Sequence, residues 1–206
     1  MTSTPPAVGS AAHDKDPDNA ASTSAAASVT AKHHADNADF TSVSTSTPAI
    51  YAQALDAARA LFESQTFWPT NLANAASLLW YALAAADKHV NWTGFYVNSP
   101  ERPEEFLLLG PFMGKVACQT ICIGQGVCGT AAAARVTQVV PDVERFPGHI
   151  ACDGETKSEV VVPLIDRNDL VRGVLDVDCT VLNGFDAEDV LFLEQFAHLL
   201  TRSCDW

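Results

Sequence analysis

Positive charge and long hydrophobic runs are both scarce in this chain. Only 12 of its 206 residues are Lys or Arg, whereas 25 are Asp or Glu, and the formal net charge is −13. Nucleic acids and anionic membranes bind basic surfaces through counterion release, so this composition argues against both as partners. The chain also lacks a stretch of about 18 apolar residues, the length that spans a bilayer. These absences favour small cationic or zwitterionic ligands.

Cysteine is too sparse for a disulfide scaffold, because the chain has six cysteines in 206 residues. The first residues also lack the basic and apolar blocks of a secretory signal peptide, and they are too rich in Asp for a typical organelle transit peptide. We therefore expect a cytoplasmic, reducing location. Metal binding, catalysis or plain burial remain as roles for the thiols. For Cys179 and Cys204, inert burial is the preferred interpretation.

The first part of the chain differs in composition from the rest. Residues 1–46 are mainly Ala, Ser, Thr, Asp and His in no periodic order, and such a segment cannot bury enough apolar surface to offset the entropy of ordering. We predict a disordered low-complexity tail over 1–46, in which His33 and His34 form a solvated pair rather than a metal site. A single domain over 47–206 follows, with Thr47 as the cap of its first helix.

Hydrophobic periodicity predicts helices at both ends of this domain and strands between them. Helical spacing follows Thr47, recurs from about Asn71 to Ala86, and returns after Asp186, which caps the last helix. Short β-type runs lie between the second and last helices, at 92–98, 105–110, 115–123, 136–140, 159–166 and 170–178. One short helix is inserted among them, over 127–136.

The connections between these runs indicate how they are arranged. Short turns favour antiparallel pairing, so we expect an α+β fold in which the helices cover one face of the sheet. The other face then has room for a ligand pocket under the long 141–158 loop, because loops of this length in compact domains are usually functional or mobile.

Three cysteines stand among small apolar residues and loops. Cys118 and Cys128 lie in ACQTICIGQGVCGTA, and Cys152 lies in an irregular segment that acidic residues follow. Thiols beside carboxylates in such loops favour thiol chemistry. Cys128 follows two glycines at a predicted helix start, where the helix dipole lowers a thiol pKa. The residues alone therefore leave Cys128 and Cys152 open as the nucleophile.

A zinc site is the alternative role for these thiols. Four of them, Cys118, Cys122, Cys128 and Cys152, could supply ligands, but their spacing lacks the paired Cys-x-x-Cys of common structural sites. On one strand, Cys118 and Cys122 would also lie roughly 13 Å apart, at about 3.3 Å per residue, which is too far to chelate one ion. We therefore predict no metal.

Acidic side chains alternate with apolar ones near the end of the predicted sheet. Asp176 and Asp178 are two residues apart, so they share one face of a strand whose other face is apolar. Carboxyl groups buried in this way need a cation or a proton opposite them, and the alternative is a solvated outer face. Glu159 opens the strand that follows the Cys152 loop, where it could join the pair.

Two aromatic residues and one histidine complete the set of candidate site residues. Trp92 and Tyr96 are four residues apart on a strand and share a face, and the gap left at Gly94 could admit a ligand. A place in the hydrophobic core explains both rings equally well. His149 is the histidine of the long loop, and it either activates a thiol or orders the loop.

Taken together, several segments of the sequence resemble those of the free methionine-(R)-sulfoxide reductases, which are single GAF domains. The resemblance covers roughly residues 48–202 and runs through these segments: WTGFY (92–96), GPFMGKVAC (110–118), GQGVCGTA (124–131), VPDVERFPGHIACD (140–153), SEVVVPL (158–164) and GVLDVD (173–178). It implies a six-stranded antiparallel sheet with helices packed on one face. It also implies no metal and no prosthetic group, thioredoxin as the reductant with NADPH as the indirect source of electrons, and often a homodimer through the terminal helices.

The resemblance also implies roles for residues. The reactive cysteines of the family fall at Cys118, Cys128 and Cys152, and its acids fall at Glu159, Asp176 and Asp178. Two further thiols, Cys122 and Cys179, lie outside the family pattern.

We hypothesise that the Cys152 thiolate attacks the sulfoxide sulfur and that Cys118 then closes a disulfide. Glu159 is the first candidate to protonate the sulfoxide oxygen, and Asp178 is the second. Asp176 and Asp178 are expected to bind the substrate ammonium, and Trp92 and Tyr96 would line the methyl and sulfur end.

Two other function classes fit the sequence less well. One is a GAF-type sensor of a small ligand that has no turnover, and the other is a cysteine redox switch that a partner reads. An assay of turnover separates both from a reductase.

Overall fold

The computed structural model describes Met1 and residues 39–40, 46–149 and 153–206. Four α-helices lie in this part of the chain: α1 (Thr47–Phe62), α2 (Trp68–Ala85), α3 (Gly126–Ala134) and α4 (Ala187–Arg202). They accompany six strands: β1 (Val90–Asn98), β2 (Phe106–Gly114), β3 (Thr120–Cys122), β4 (Gln138–Val140), β5 (Ser158–Ile165) and β6 (Val171–Cys179). None of these helices is long and apolar enough to cross a bilayer.

The strands form one sheet in the order β3-β2-β1-β6-β5-β4, and every pair is antiparallel. The predicted α+β fold with a six-stranded antiparallel sheet is therefore confirmed. The first and last strands along the chain, β1 and β6, pair with each other at the centre of the sheet rather than forming its edges. This pairing brings residues near 92 and near 178 side by side.

The sheet separates two hydrophobic clusters. One face packs against α1, α2 and α4 through residues such as Phe95, Leu175 and Val177. The opposite face carries Trp92, Tyr96 and further apolar residues that pack with α3. Successive side chains on a strand point to opposite faces, so alternation along β1 and β6 supplies both clusters. The prediction that helices cover one face and leave the other for a pocket is correct.

The structure confirms the cap predicted at Asp186, whereas α1 is capped one residue earlier than predicted and α2 begins at Trp68, three residues before the start predicted near Asn71. Asp186 caps α4 by accepting hydrogen bonds from the backbone of Glu188 and Asp189, and the Asp189 side chain bonds back to the Asp186 backbone in a capping box. At α1, Ser46 rather than Thr47 is the N-cap, and its side chain makes no capping bond. The proline that follows lies within the first turn, where its missing N–H has no helical partner to lose.

The predicted third strand is much shorter than expected. Residues 115–119 are irregular, β3 begins at Thr120, and β2 extends as far as Gly114. Gly114 has φ +130°, which ends β2 in a conformation that side chains rarely adopt. Cys118 therefore does not share a strand with Cys122, and the strand-based estimate of their separation does not apply.

The predicted tail over 1–46 lies almost entirely outside the described residues, and so do His33 and His34. Phe40 is described, and it is only 6% exposed within the cluster that includes α1, α2 and α4. The carbonyl of Asp39 accepts a hydrogen bond from Gln53 of α1 at 3.2 Å. The packed part of the chain thus includes a residue that the sequence analysis assigned to the tail.

Replacing Phe40 with Ala should lower the free energy of unfolding by roughly 3 kcal/mol, because it removes a buried ring and leaves a cavity. Deletion of residues 2–38 should leave it nearly unchanged, because that composition adds little to a core. Urea unfolding of both variants and the wild type measures the difference. A Phe40→Ala variant within about 0.5 kcal/mol of wild type would show that the ring does not stabilise the domain.

Candidate active site

Three acidic residues meet on the sheet face that carries α3. Glu159 of β5 lies opposite Asp178 of β6, and Asp178 lies opposite Trp92 of β1. Asp176 is two residues from Asp178 and shares its face, opposite Gly94 and Val161. The predicted placement of the two aspartates on one face, with Glu159 joining them, is confirmed. They are not on a solvated outer face, since Glu159 and Asp176 are buried.

Helix α3 brings Cys128 against these acids. Gly124 and Gly126 have φ of +86° and +61°, which turns the chain from β3 into the helix. A side chain at Gly129 would place its Cβ 2.2 Å from the Cys122 carbonyl oxygen, so glycine is needed for the close approach of α3 to β3. The Cys128 sulfur and one oxygen each of Glu159 and Asp176 all lie within 4.8 Å of one another.

Aromatic rings form one wall of the resulting cavity. Trp92 stacks on Tyr96 with ring centroids 5.8 Å apart and on Phe112 at 5.3 Å. A Cβ at Gly94 would lie 2.3 Å from the Cβ of Phe112 and 2.6 Å from the Trp92 ring. The prediction that Gly94 leaves room for a ligand is therefore wrong, because Phe112 and Trp92 fill that space. Trp92 and Tyr96 line the cavity beside it.

The long loop covers the cavity with polar side chains. His149, Asp153 and Thr156 all line it, as do Gln125 and Lys115 from other segments. The His149 Nε2 atom lies 3.9 Å from a Glu159 carboxyl oxygen. Burial lowers the pKa of His149, so the ring is a neutral neighbour of Glu159 at neutral pH. A pocket roofed by this loop agrees with the prediction.

The comparisons with known proteins agree with this arrangement. The family model described as GAF domain matches residues 72–203. A protein of Saccharomyces cerevisiae named free methionine-R-sulfoxide reductase is 49% identical over 177 residues, which cover 86% of this chain and 97% of that protein. The chain belongs to the free methionine-R-sulfoxide reductases. It is therefore an oxidoreductase.

Further relatives of this family cover slightly less of the chain. The Escherichia coli protein of the same name is 43% identical over 143 residues, covering 69% of this chain and 81% of that protein. A crystal structure of the free methionine-R-sulfoxide reductase of Neisseria meningitidis in complex with its substrate has 38% identity and a TM-score of 0.69, and the match covers 76% of this chain and 89% of that one.

The cysteines of this reductase are in different states. Cys118 is bonded in a disulfide, whereas Cys122, Cys128, Cys179 and Cys204 carry free thiols. Cys152, the predicted nucleophile, lies outside the described residues, so its role stays a prediction. Cys179 and Cys204 are buried, in agreement with the interpretation that they pack in the core.

The Cys128 thiol does not have the lowered pKa that its place near a helix start suggested. Burial raises its pKa well above the usual value, and the neighbouring Asp176 and Glu159 carboxyls raise it further. Removal from water penalises the thiolate, and nearby negative charge adds to that penalty. Both effects outweigh the dipole of a short helix, so Cys128 is a protonated thiol at neutral pH.

Burial also raises the pKa values of the three acids. It raises the pKa of Glu159 and of Asp178 well above their usual values, and the charge of Asp176 raises both further. Burial raises the pKa of Asp176 to about 7, although hydrogen bonds from Cys128 and Glu159 oppose the rise. The floor of the cavity therefore holds carboxylic acids, not three carboxylates, in the reductase at neutral pH.

One oxygen of this cluster is without a partner. The Asp176 Oδ1 atom is buried and has no hydrogen-bond partner among the described residues. A buried polar atom in this condition is costly unless something binds to it. The atom is therefore available for a hydrogen bond on the floor of the cavity.

Cys128, Glu159 and Asp176 are also the residues whose donor atoms lie close enough to surround a metal ion within the described ranges. Metal binding requires a thiolate and carboxylates, whereas burial favours the protonated forms of all three groups. The absence of a resident metal remains a prediction.

Sequence reasoning missed a polar network at the mouth of the cavity. Asn91 donates hydrogen bonds to Asp153 at 3.2 Å and to Thr156 at 3.1 Å. The Lys115 ammonium lies 3.4 Å from Asp153 and also pairs with Glu155. Lys115 and Asp153 both fall inside the motifs that carry the family resemblance, so the motifs could have pointed to them. Their contact across 38 residues of sequence could not be read from either motif.

Replacing Asp176 with Asn should reduce the fall in the free energy of unfolding that accompanies a rise in pH. The Asp176 pKa is 3.8 in its ordinary state and about 7 in the folded protein. Between these values the folded state binds more protons than the unfolded state, so each rise in pH lowers the free energy of unfolding. The contribution of Asp176 to the free energy of unfolding is therefore fully present below pH 3.8 and is lost as the pH rises through about 7. An amide cannot ionise, so the variant lacks this dependence.

Urea unfolding at about pH 5 and about pH 8 measures this difference. Asp56→Asn is a suitable control, because the Asp56 side chain is 77% exposed. An equal fall in stability for wild type and Asp176→Asn would contradict a protonated acid at this position.

Proposed function

We propose that this chain reduces the R-sulfoxide of free methionine to methionine, with Cys152 as the nucleophile, Cys118 as the resolving cysteine and thioredoxin as the reductant. The main support is the protonated acid cluster on the floor of an aromatic-walled cavity. Glu159 and Asp178 can donate hydrogen bonds there, and the Asp176 Oδ1 atom is buried without a partner among the described residues. A sulfoxide has a strongly polar oxygen that accepts such bonds and a methyl-sulfur end that suits aromatic rings.

The acid cluster supplies the proton that the reaction needs. A sulfoxide sulfur becomes a better electrophile as its oxygen accepts a proton, because negative charge on that oxygen is then neutralised. Glu159 is the best donor, since its pKa is raised by burial and then by both aspartates. Asp178 is the alternative donor, and its pKa is raised in the same way.

The proposed steps balance oxygen and electrons. The Cys152 thiolate attacks the sulfoxide sulfur, the oxygen passes to the Cys152 sulfur, and methionine leaves with Cys152 as a sulfenic acid. The Cys118 thiol then attacks that sulfur, which forms a disulfide and releases the oxygen as water. A thioredoxin dithiol reduces the disulfide by exchange, and NADPH restores thioredoxin.

The states of the described cysteines support this assignment of roles. Cys118 is disulfide-bonded, as a resolving cysteine is after one turnover. Cys128 is 4% exposed and has a raised pKa, which makes it a poor thiolate and disfavours it as the attacking group. We propose that Cys128 instead donates a hydrogen bond to Asp176, which stabilises the ionised form of that carboxyl and leaves Glu159 and Asp178 to hold the protons.

The pKa directions favour a different role for the two aspartates from the one that the sequence suggested. An ammonium group is best bound by an ionised carboxylate, whereas Asp178 is protonated at neutral pH and Asp176 is only partly ionised. We therefore propose that Asp176 and Asp178 act with Glu159 on the sulfoxide oxygen. Trp92 and Tyr96 contact the methyl and sulfur end.

Three further proposals concern the cofactor, the location and the oligomeric state of the protein. We propose that the reaction needs no metal and no prosthetic group, because thiol and carboxyl groups account for every step. A cytoplasmic location follows from the need for reduced thioredoxin. A homodimer through the terminal helices also remains a proposal.

The purified chain should consume NADPH with free methionine-(R)-sulfoxide when thioredoxin and thioredoxin reductase are present. We expect little activity on the S epimer, whose oxygen would point away from the acids if the methyl group keeps its place. We also expect little on a peptide-bound sulfoxide. Assays of NADPH oxidation with each substrate measure this. Comparable rates on the free and the peptide-bound form would rule out recognition of the free amino acid, and no turnover of any sulfoxide would favour a ligand sensor or a redox switch.

Cys152→Ser should abolish methionine release even when a strong dithiol replaces thioredoxin, because the attacking sulfur is lost. Cys118→Ser should lose thioredoxin-coupled turnover but still release about one methionine per site in a single turnover, since the sulfenic acid can form but cannot be resolved. Cys204→Ser, in the core cluster on the helix-covered face of the sheet, serves as the matched control and should keep activity. A methionine burst from Cys152→Ser would transfer the nucleophile role to another thiol, and Cys128→Ser would then be tested first.

A further inference from the structure

The mouth of the cavity has a different charge pattern from its floor. Two segments meet there: the irregular stretch after β2, which carries Lys115, and the roof loop, which carries Asp153. The Lys115 Nζ atom lies 3.4 Å from a carboxyl oxygen of Asp153, and both residues line the cavity. Among the described residues that line it, Lys115 is the one lysine or arginine.

Asp153 is fully ionised at neutral pH, whereas burial keeps Glu159 and Asp178 protonated. The backbone N–H of Glu155 donates to its carboxyl and lowers its pKa most, and Asn91 and Lys115 lower it further. Its side chain is 15% exposed, whereas that of Lys115 is 61% exposed. The mouth therefore presents a half-buried, hydrogen-bonded anion at Asp153 and a more exposed cation at Lys115, which also pairs with Glu155. The floor presents the protonated carboxyls of Glu159 and Asp178.

Both charged groups are tied to β1, which also forms the wall. The Trp92 ring nitrogen donates to the Lys115 carbonyl at 3.1 Å, and Asn91 holds Asp153 from the adjacent position. The backbone of Trp92 lies opposite Asp178 on the floor. Trp92 thus contacts the mouth through its ring nitrogen and lies beside the acids through its backbone.

We propose that Lys115 and Asp153 form the subsite for the α-carboxylate and the α-ammonium of the free amino acid. The proposal rests on the function proposed above and names the groups that would select a free zwitterion. The Lys115–Asp153 pair opens at the mouth, Lys115 takes the carboxylate, and Asp153 takes the ammonium. Because the Lys115 side chain is 61% exposed, its ion pair with Asp153 contributes little to stability, and it can be exchanged for two pairs with the substrate. A peptide-bound methionine has neutral amides at both positions and makes neither pair.

A purely structural role is the competing explanation, because the same pair could simply hold the roof loop against β1. The two explanations differ in their dependence on the substrate. A latch acts equally on every substrate, whereas a subsite matters only for a substrate that carries the matching charge. Three substrates separate them: free methionine-(R)-sulfoxide, its amide, which lacks the carboxylate, and its N-acetyl derivative, which lacks the ammonium.

We expect Lys115→Met to lower kcat/KM roughly 10- to 100-fold for the free and N-acetyl substrates, the range for loss of a charged hydrogen bond, and to leave the amide nearly unaffected. Asp153→Asn should lower kcat/KM for the free substrate and the amide but not for the N-acetyl derivative. Lys157→Met is the matched control, because Lys157 is also in the roof segment, pairs with Glu144 at 3.4 Å and does not line the cavity. It should leave all three values unchanged.

Equal losses on all three substrates would overturn the subsite and support a latch. Failure of the wild type to reduce free methionine-(R)-sulfoxide is a different result, which refutes the proposed function. In that case calorimetric titration of methionine, methioninamide and N-acetylmethionine into the same variants still decides the subsite. The subsite requires Lys115→Met to weaken the binding of methionine and N-acetylmethionine but not of methioninamide, and any other pattern refutes it.

Discussion

The site depends on burying acids beside each other on an apolar sheet face. Charged carboxylates at Glu159, Asp176 and Asp178 could not all be kept there, because desolvation and mutual repulsion both disfavour ionisation. The cluster avoids this cost because its raised pKa values keep protons on the carboxyl groups. A protonated carboxyl donates a hydrogen bond, whereas a carboxylate only accepts one. The same burial that disfavours ionisation therefore provides hydrogen-bond donors on the floor of the cavity.

The two faces of the sheet connect this site to the stability of the domain. Leu175 and Val177 point into the helix-covered core while Asp176 and Asp178, their neighbours, point into the cavity. A shift in register by one residue would exchange these sets, exposing the acids to the core and the apolar residues to the cavity. The packing of α1, α2 and α4 thus specifies the position of each acid to within one residue.

The sequence predicted the features that depend on local pattern. Alternation placed Asp176 and Asp178 on one face, and the Asp186 cap located the start of α4 to within a residue. It failed where long-range packing decides the outcome. Space at Gly94 is taken by Phe112 from the next strand, and the pKa of Cys128 depends on acids about 30 and 50 residues away in the chain. The Lys115–Asp153 contact is of the same kind, since two loops meet there through their separate attachment to β1.

The boundary of the domain illustrates the same limit. Phe40 stands in a polar, low-complexity stretch with no periodic pattern, so nothing local distinguishes it from a solvated side chain. Its burial depends on a gap among helices that are distant in sequence.

The protonated state of Cys128 affects how fast oxidants react with its sulfur. Peroxide reacts with thiolates far faster than with thiols, so a sulfur held as a thiol is spared while exposed low-pKa thiols are consumed. A repair protein meets its substrate under the same conditions that damage its own cysteines. Placing one thiol deep among carboxylic acids therefore slows the oxidation of the sulfur on the floor of the cavity.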